Sequence, residues 1–350
     1  MEASSEQAML ADSVERLFSA HSDFRRIRLI ESGESVAPLW KAMTDSGFVD
    51  ALVAEEHGGA GMTLAEAASI ALGCGRHLVP VPLAETMVVR AALAELGMEV
   101  PDGAIAIAPH GVECEDARID LSAVPYGMTA DWILCSRDGE DWLLSAAAGR
   151  RVVAAGYGNL AADLSWDAFP VAARRWSNAR GNAHIDWQGC AAALAAARIA
   201  GALARAAEMA ITYANDRVQF GKPIGKLQAI QQQLAVLAEQ VAAARCAAEI
   251  GLCPVAGSTW RLDPLRCAVA KARTSEAVVA STAIAHEVHG AIGISEEYDL
   301  QMLTRHLYQW RIQYGTESFW NARVGIALLR DTSSAVRFAA ERLGGGGTQR

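Results

Sequence analysis

The sequence predicts a mainly α-helical protein interrupted by one small β-domain, and three observations lead there. Thirteen alanines fall between residues 191 and 214, a composition with high intrinsic helix propensity. Leu227, Ile230, Leu234, Leu237 and Val241 recur at alternating spacings of three and four, the period of a helix face packed in a bundle. Between 101 and 187 that period gives way to short apolar runs, with Trp132, Trp142, Trp166 and Trp176 in the region and Asp138-Gly139 as a hairpin signal. The expected order is an N-terminal helical domain over 1–100, a middle domain of short antiparallel strands over 101–187, a helical bundle over 188–340 and a flexible glycine-rich tail over 341–350.

Each element has a local reason. Ala8–Ala20 predicts a first helix. Val36–Ser46 predicts another, with Leu39, Trp40 and Met43 on its buried face. Glu55-Glu-His-Gly-Gly-Ala-Gly61 has three glycines in four positions and marks a turn. Thr63-Leu-Ala-Glu66 is a capping-box pattern that predicts a helix start near residue 64. Val79-Pro-Val-Pro82 ends that helix, because proline disfavours a helical conformation in the residue before it. The strand candidates are Ala104–Ala108, Trp132–Cys135, Trp142–Ser145 and Arg151–Ala155. Beyond the alanine-rich run and the 227–241 seam, a third helical run spans Arg261–His289 and a fourth begins near Thr316.

Composition excludes several function classes. The chain has 350 residues, 52% hydrophobic and 20% charged, which is a folded composition long enough for two or three packed units. A net charge of −9 lacks the basic footprint of a general nucleic-acid binder. Seven cysteines, none at C-x-x-C spacing, fit reduced thiols in the cytoplasm. The acidic, polar start is unlike a signal peptide. The most apolar run carries Arg198, Arg205 and Glu208, charges that argue against a membrane span.

The segment Tyr213-Ala-Asn-Asp-Arg-Val-Gln-Phe-Gly-Lys-Pro-Ile-Gly-Lys-Leu-Gln228 concentrates an arginine, the aromatic Phe220, two glycines, two lysines and glutamine at one helix-to-helix corner. Positive charge and backbone N–H groups at a helix start suit a phosphate-bearing ligand. Together with other segments this corner resembles the acyl-CoA dehydrogenase family. The N-terminal part resembles it in Leu39-Trp40, Phe48, Glu55 to Gly61 and Val81-Pro-Leu-Ala-Glu85. The C-terminal part does so in Arg217-Val-Gln-Phe-Gly-Lys-Pro-Ile224 and Gln228, in His286-Glu-Val-His-Gly-Ala-Ile-Gly293, in Glu297-Tyr298 and Arg305, and in Tyr314-Gly-Thr316. Four pieces in the same order, separated by the same element types, make the signal specific.

The resemblance implies an N-terminal helical domain, a middle β-domain and a C-terminal four-helix bundle. It implies FAD bound across a subunit interface, an acyl-CoA substrate, a homo- or hetero-oligomer, and an electron-transfer flavoprotein as electron acceptor. By the same analogy Arg217 reaches the FAD pyrophosphate, Gln219 and Phe220 line the dinucleotide, and Gln228 bonds its adenine end. Gly290 and Gly293 let the backbone approach the diphosphate or adenine, and the Thr316 hydroxyl lies near a flavin phosphate. Glu287 stands where the family carries glutamine, and Ala291 where it carries a second glycine. A carboxylate there is unfavourable beside a pyrophosphate and suits a ribose hydroxyl or the adenine amine.

The chemistry is where the chain departs from the family. Removing a proton alpha to a thioester carbonyl needs a carboxylate base in a water-poor site. The two positions at which the family places that glutamate hold Tyr314 and Ala191. A phenol with a pKa of about 10 is neutral at pH 7 and makes a poor substitute. Glu317 follows close by but is expected to point elsewhere on its helix. The family's flavin-ring stretches in the β-domain are also missing between 101 and 187. Some bacterial members work as unlike-subunit pairs, one supplying base and ring platform, the other the adenine-side contacts, and this chain resembles the second kind. Three readings follow: a flavoprotein dehydrogenase active through an assembled interface, a non-catalytic partner subunit, and a scaffold that has lost flavin.

Overall fold

The computed structural model describes residues 5–344, apart from 109–112, 116–117, 138, 155, 157–159, 171–172, 178, 181–182 and 332. Five helices come first: α1 (Ser5–His21), α2 (Phe24–Glu31), α3 (Ala37–Asp45), α4 (Ala68–Arg76) and α5 (Leu83–Glu95). Ten short strands follow among the described residues: β1 (Ile105–Ile107), β2 (Glu113–Glu115), β3 (Arg118–Val124), β4 (Trp132–Arg137), β5 (Glu140–Ser145), β6 (Arg150–Val153), β7 (Ala162–Trp166), β8 (Arg174–Ser177), β9 (Ala179–Arg180) and β10 (Ala183–His184). The last part holds α6 (Trp187–Asp216), a hairpin of β11 (Val218–Gln219) and β12 (Lys222–Pro223), then α7 (Gln228–Gly251), α8 (Pro264–His289), α9 (Leu300–Ile312), α10 (Glu317–Arg330) and α11 (Ala335–Arg342). Helices, strands, helices is the order the sequence predicts. The glycine-rich tail beyond residue 344 lies outside the described residues.

The chain forms two compact units. One comprises Met1–Ile70, Val79–Ala191 and Pro254–Arg261; the other comprises Ala71–Leu78, Ala192–Cys253 and Leu262–Arg350. In the first unit, the Asp23 side chain caps α2 by accepting from the Arg26 N–H at 2.7 Å. The sequence reading passed over α2, although Asp23 with Ile27 and Ile30 buried behind it is its signature. The Thr63–Glu66 capping box forms: the Thr63 N–H donates to Glu66 at 2.7 Å and the Glu66 N–H donates to Thr63 Oγ1 at 3.3 Å. Regular helix nevertheless begins at Ala68 rather than near 64, and the Leu64 N–H donates to the Thr259 carbonyl at 2.7 Å.

Two four-stranded sheets, in orders β1-β4-β5-β8 and β2-β3-β7-β6, enclose a core of Ile119, Leu121, Val124, Ile133, Leu144, Leu164 and Trp166. β4 and β5 pair antiparallel up to Arg137 and Glu140, and Gly139 before β5 has a φ of +78°; Asp138 of the expected turn lies outside the described residues. Among the described residues the expectation of antiparallel strands holds for every pairing but one: β1 runs parallel to β4. The chain crosses to the other sheet through β2 and β3 before β4 returns beside β1, which is the long connection a parallel pair requires.

In the second unit, α6 is the core helix. Cβ atoms on Gly75 and Gly201 would lie 1.8 and 1.9 Å from the carbonyl oxygens of Arg198 and Leu72, so α4 and α6 cross backbone to backbone. The alanines of α6 keep that close packing possible. By length and composition α6 and the run Pro264–Ile294 could each cross a membrane, but 89% of the most apolar stretch of α6 is buried inside the fold. Asp263 caps α8, accepting from the Leu265 and Arg266 N–H groups at 3.0 Å, with Pro264 at the first helical position. The expected seam on α7 is only partly covered. Leu237 is buried, whereas Leu227, Ile230, Leu234 and Val241 are half-buried. Ala244, Ala247, Ala248 and Gly251 make the close approach instead, and a Cβ on Gly251 would meet that of Ala270 on α8 at 2.4 Å.

Candidate cofactor site

The end of α6 turns into the β11–β12 hairpin through bonds its own backbone makes. The Arg217 N–H donates to the Tyr213 carbonyl at 2.9 Å, and the Ile224 N–H donates back to the Arg217 carbonyl at 2.8 Å. Phe220 and Gly221 occupy the turn with φ of +53° and +75°. Positive φ at both central residues matches the right-handed strand twist, but it strains a phenylalanine. Phe220 is 88% exposed, so no packing within this chain compensates.

Beside the hairpin lies a cleft of about 800 Å³. Ile224, Leu227, Ile230, Val288 and Ile292 give it apolar walls, and Arg217 and Gln219 edge it on one side. The last turn of α8 and the residues after it supply Glu287, His289, Gly290 and Ala291. Gly290 has φ of +64° and nothing within 4 Å of where a Cβ would stand, so bare backbone faces the open space. Gln233 of α7 donates from Nε2 to Glu287 Oε2 and holds that carboxylate.

His289 forms part of the wall. Its Nδ1 lies 2.7 Å from the Ala285 carbonyl and its Nε2 lies 3.2 Å from the Tyr298 hydroxyl. A carbonyl can only accept, so Nδ1 carries the proton and Nε2 accepts from Tyr298. The ring stacks on Tyr213 with centroids 4.6 Å apart. Burial holds the His289 and His286 rings below the ordinary histidine pKa and pushes the Tyr298 hydroxyl up. His289 is thus a buried, hydrogen-bonded histidine. The tyrosine pair around it was not legible, because nothing at the spacings 213, 289 and 298 links them along the chain.

The structure therefore brings Arg217, Gln219, Glu287 and Gly290 to one cleft, with Phe220 at the hairpin tip next to Gln219. Gln228 opens α7, but it is not among the cleft-lining residues. Thr316 sits at the N-cap position of α10, exposed, with no cap bond from its side chain, and it too lies outside the cleft. Asp216, Tyr213 and the apolar wall residues complete a lining that the motif reading did not name as a site.

The two base positions are closed. Ala191 is fully buried in the first turns of α6. Tyr314 is 1% exposed and adopts φ of +58° between α9 and α10. Glu317 is engaged elsewhere: Arg311 donates to its Oε1 from both Nε and Nη2, the former at 3.0 Å. Those bonds hold its carboxyl below the usual glutamate range, and it is a structural ion-pair partner.

Residues 4–100 match the family model of the acyl-CoA dehydrogenase N-terminal domain, and residues 190–325 match that of the C-terminal domain. The acyl-CoA dehydrogenase IpdE2 of Mycolicibacterium smegmatis is 30% identical over 305 residues, covering 85% of this chain and 91% of that one. The chain belongs to the acyl-CoA dehydrogenase family. Among solved structures, the ChsE4–ChsE5 complex from Mycobacterium tuberculosis superposes with a TM-score of 0.79 at 22% identity, covering 95% of this chain and 99% of that one. A Tcur3481–Tcur3483 steroid ACAD variant gives a TM-score of 0.78 at 25% identity, covering 95% and 100%. The first of these supports the fold: N-terminal helices, a β-domain and C-terminal helices.

FAD is the cofactor of this family. An arginine at the edge, a bare glycine backbone and an apolar wall fit the adenosine diphosphate part of that molecule. The carboxylates of Glu287 and Asp216 fit hydroxyl and amine donors and not phosphate.

Proposed function

We propose that this chain is one subunit of a cytoplasmic, FAD-dependent acyl-CoA dehydrogenase built from unlike subunits. In it, this chain contributes the adenosine side of a flavin site and the partner chain contributes the catalytic base. The observation that carries the reading is a mismatch within one chain. The cleft that edges Arg217 and Gly290 is built, while the family's base positions hold a buried tyrosine and a buried alanine. Bound FAD supplies the hydride acceptor for the β-carbon of the thioester. Arg217 holds the diphosphate, Glu287 and Gly290 border the nucleoside, and Phe220 inserts at the subunit interface. The exposed, strained conformation of Phe220 supports that last role, because positive φ at a bulky residue persists where another contact compensates. The likeness to the steroid ACAD supports a steroid-derived acyl group, and the ChsE4–ChsE5 likeness supports pairing with an unlike chain. The electron acceptor we propose is an electron-transfer flavoprotein.

The test is co-expression with a dehydrogenase subunit that keeps glutamate before its Gly-Thr. Flavin content and acyl-CoA oxidation with an artificial electron acceptor are then measured for the complex and for this chain alone. Turnover confined to the complex supports the proposal. Robust turnover by the isolated chain overturns it in favour of a self-sufficient enzyme. A flavin-free complex would leave only a scaffold.

A further inference from the structure

Both ligands of the proposed reaction contain adenosine diphosphate. In FAD its ribose carries free hydroxyls; in coenzyme A the 3′-oxygen is phosphorylated. The apolar wall of the cleft and the Arg217 guanidinium do not tell these apart, since the adenine ring and diphosphate are common to both. The ribose substituent is what differs. Glu287 is exposed in the last turn of α8 and lines the cleft. Gln233 donates to its Oε2 from α7, and a carboxylate has acceptor sites to spare for further donors. A ribose hydroxyl can donate to such a group, whereas a phosphate only adds like charge to it. Asp216, also in the lining, adds a second negative group.

We infer that Glu287 makes this cleft select adenine nucleotides with an unphosphorylated ribose, so that it accepts the FAD end and refuses the 3′-phosphorylated end of coenzyme A. The inference rests on the FAD reading above. A glutamine at this position could donate from its amide as well as accept, so it would not impose the choice.

The experiment is displacement of FAD from the full chain, in the assembly in which it purifies, followed by flavin fluorescence. ADP and 3′-phospho-ADP are the competitors, and direct calorimetry of each nucleotide runs in parallel. For the wild type, 3′-phospho-ADP should be weaker than ADP by at least about tenfold, as like-charge juxtaposition at a binding surface is costly. Glu287→Gln, which keeps the side-chain shape, should close most of that gap. Equal displacement by the two nucleotides in the wild type overturns the inference, as does a gap that survives in Glu287→Gln. Absence of FAD binding with ADP still preferred by calorimetry would remove the flavin reading and leave the ribose selectivity standing. Binding of neither nucleotide overturns both.

Discussion

The Lys271 ammonium, fully buried on α8, donates to the Arg311 carbonyl at 2.7 Å and to Ser275 Oγ at 2.8 Å. Arg311 lies in the last turn of α9, where carbonyls lack helical partners and a cation is favoured. Its own side chain reaches across residues 312–316 to Glu317 at the start of α10. The loop carrying Tyr314 is thus clamped at both ends by groups that take no part in the proposed chemistry. Burial pushes the Lys271 ammonium down to about 7, opposed by Glu317 and reinforced by Arg198 and Arg311.

That shift predicts a signed pH dependence. Between about pH 7 and the unfolded value near 10.5, the unfolded chain holds a proton that the folded chain has released. Stability therefore rises with pH through this window, with a slope of up to about 1.4 kcal/mol per pH unit from this group. Below pH 7 both states are protonated and the contribution to the slope vanishes. Urea unfolding of Lys271→Met between pH 7 and 9 should show a flatter profile than wild type. Parallel profiles would mean that Lys271 keeps its proton across the window.

Gly75 and Gly201 should resist substitution. An added methyl at either lies within 2 Å of a backbone carbonyl oxygen on the opposing helix, so the α4–α6 crossing must open. Gly201→Ala should lose about 2–4 kcal/mol in chemical denaturation, despite alanine's better helix propensity. An unchanged or raised midpoint would show that the crossing yields easily.

Arg217 and Phe220 should separate binding from folding. Arg217→Ala removes a charged contact worth about 1.5–3 kcal/mol and should lower the flavin-to-protein ratio of the complex. Phe220→Gly relieves a positive φ that costs roughly 1–2 kcal/mol in a non-glycine residue. The isolated chain should hold or gain stability while assembly and flavin retention weaken. Flavin content equal to wild type in both variants would contradict the interface role.

Tyr314 and Glu317 should be dispensable for proton abstraction. Tyr314→Phe and Glu317→Gln, assayed in the complex, should each cost far less than the roughly hundredfold or more that marks removal of a general base. Glu317→Gln should lower thermal stability, since Arg311 loses its partner. A collapse of turnover in Glu317→Gln at unchanged stability would make Glu317 the base.

Local pattern was enough for the element order, the capping residues Thr63 and Glu66, the Gly139 hairpin and the Arg217–Gln228 corner. These depend on neighbours within a few positions, where propensity and spacing act directly. The same holds for what is missing at 191 and 314, since a side chain's chemistry is present in the sequence whatever the fold. Tertiary structure alone decided the rest. It joined Glu287 to Gln233 and His289 to Tyr213 and Tyr298, buried Lys271 against Arg311, paired β1 with β4 in parallel, and left the N-terminal half of the α7 seam partly open. Those outcomes depend on which surfaces meet after residues far apart in the chain have packed, and burial, pKa and exposure are properties of that packing.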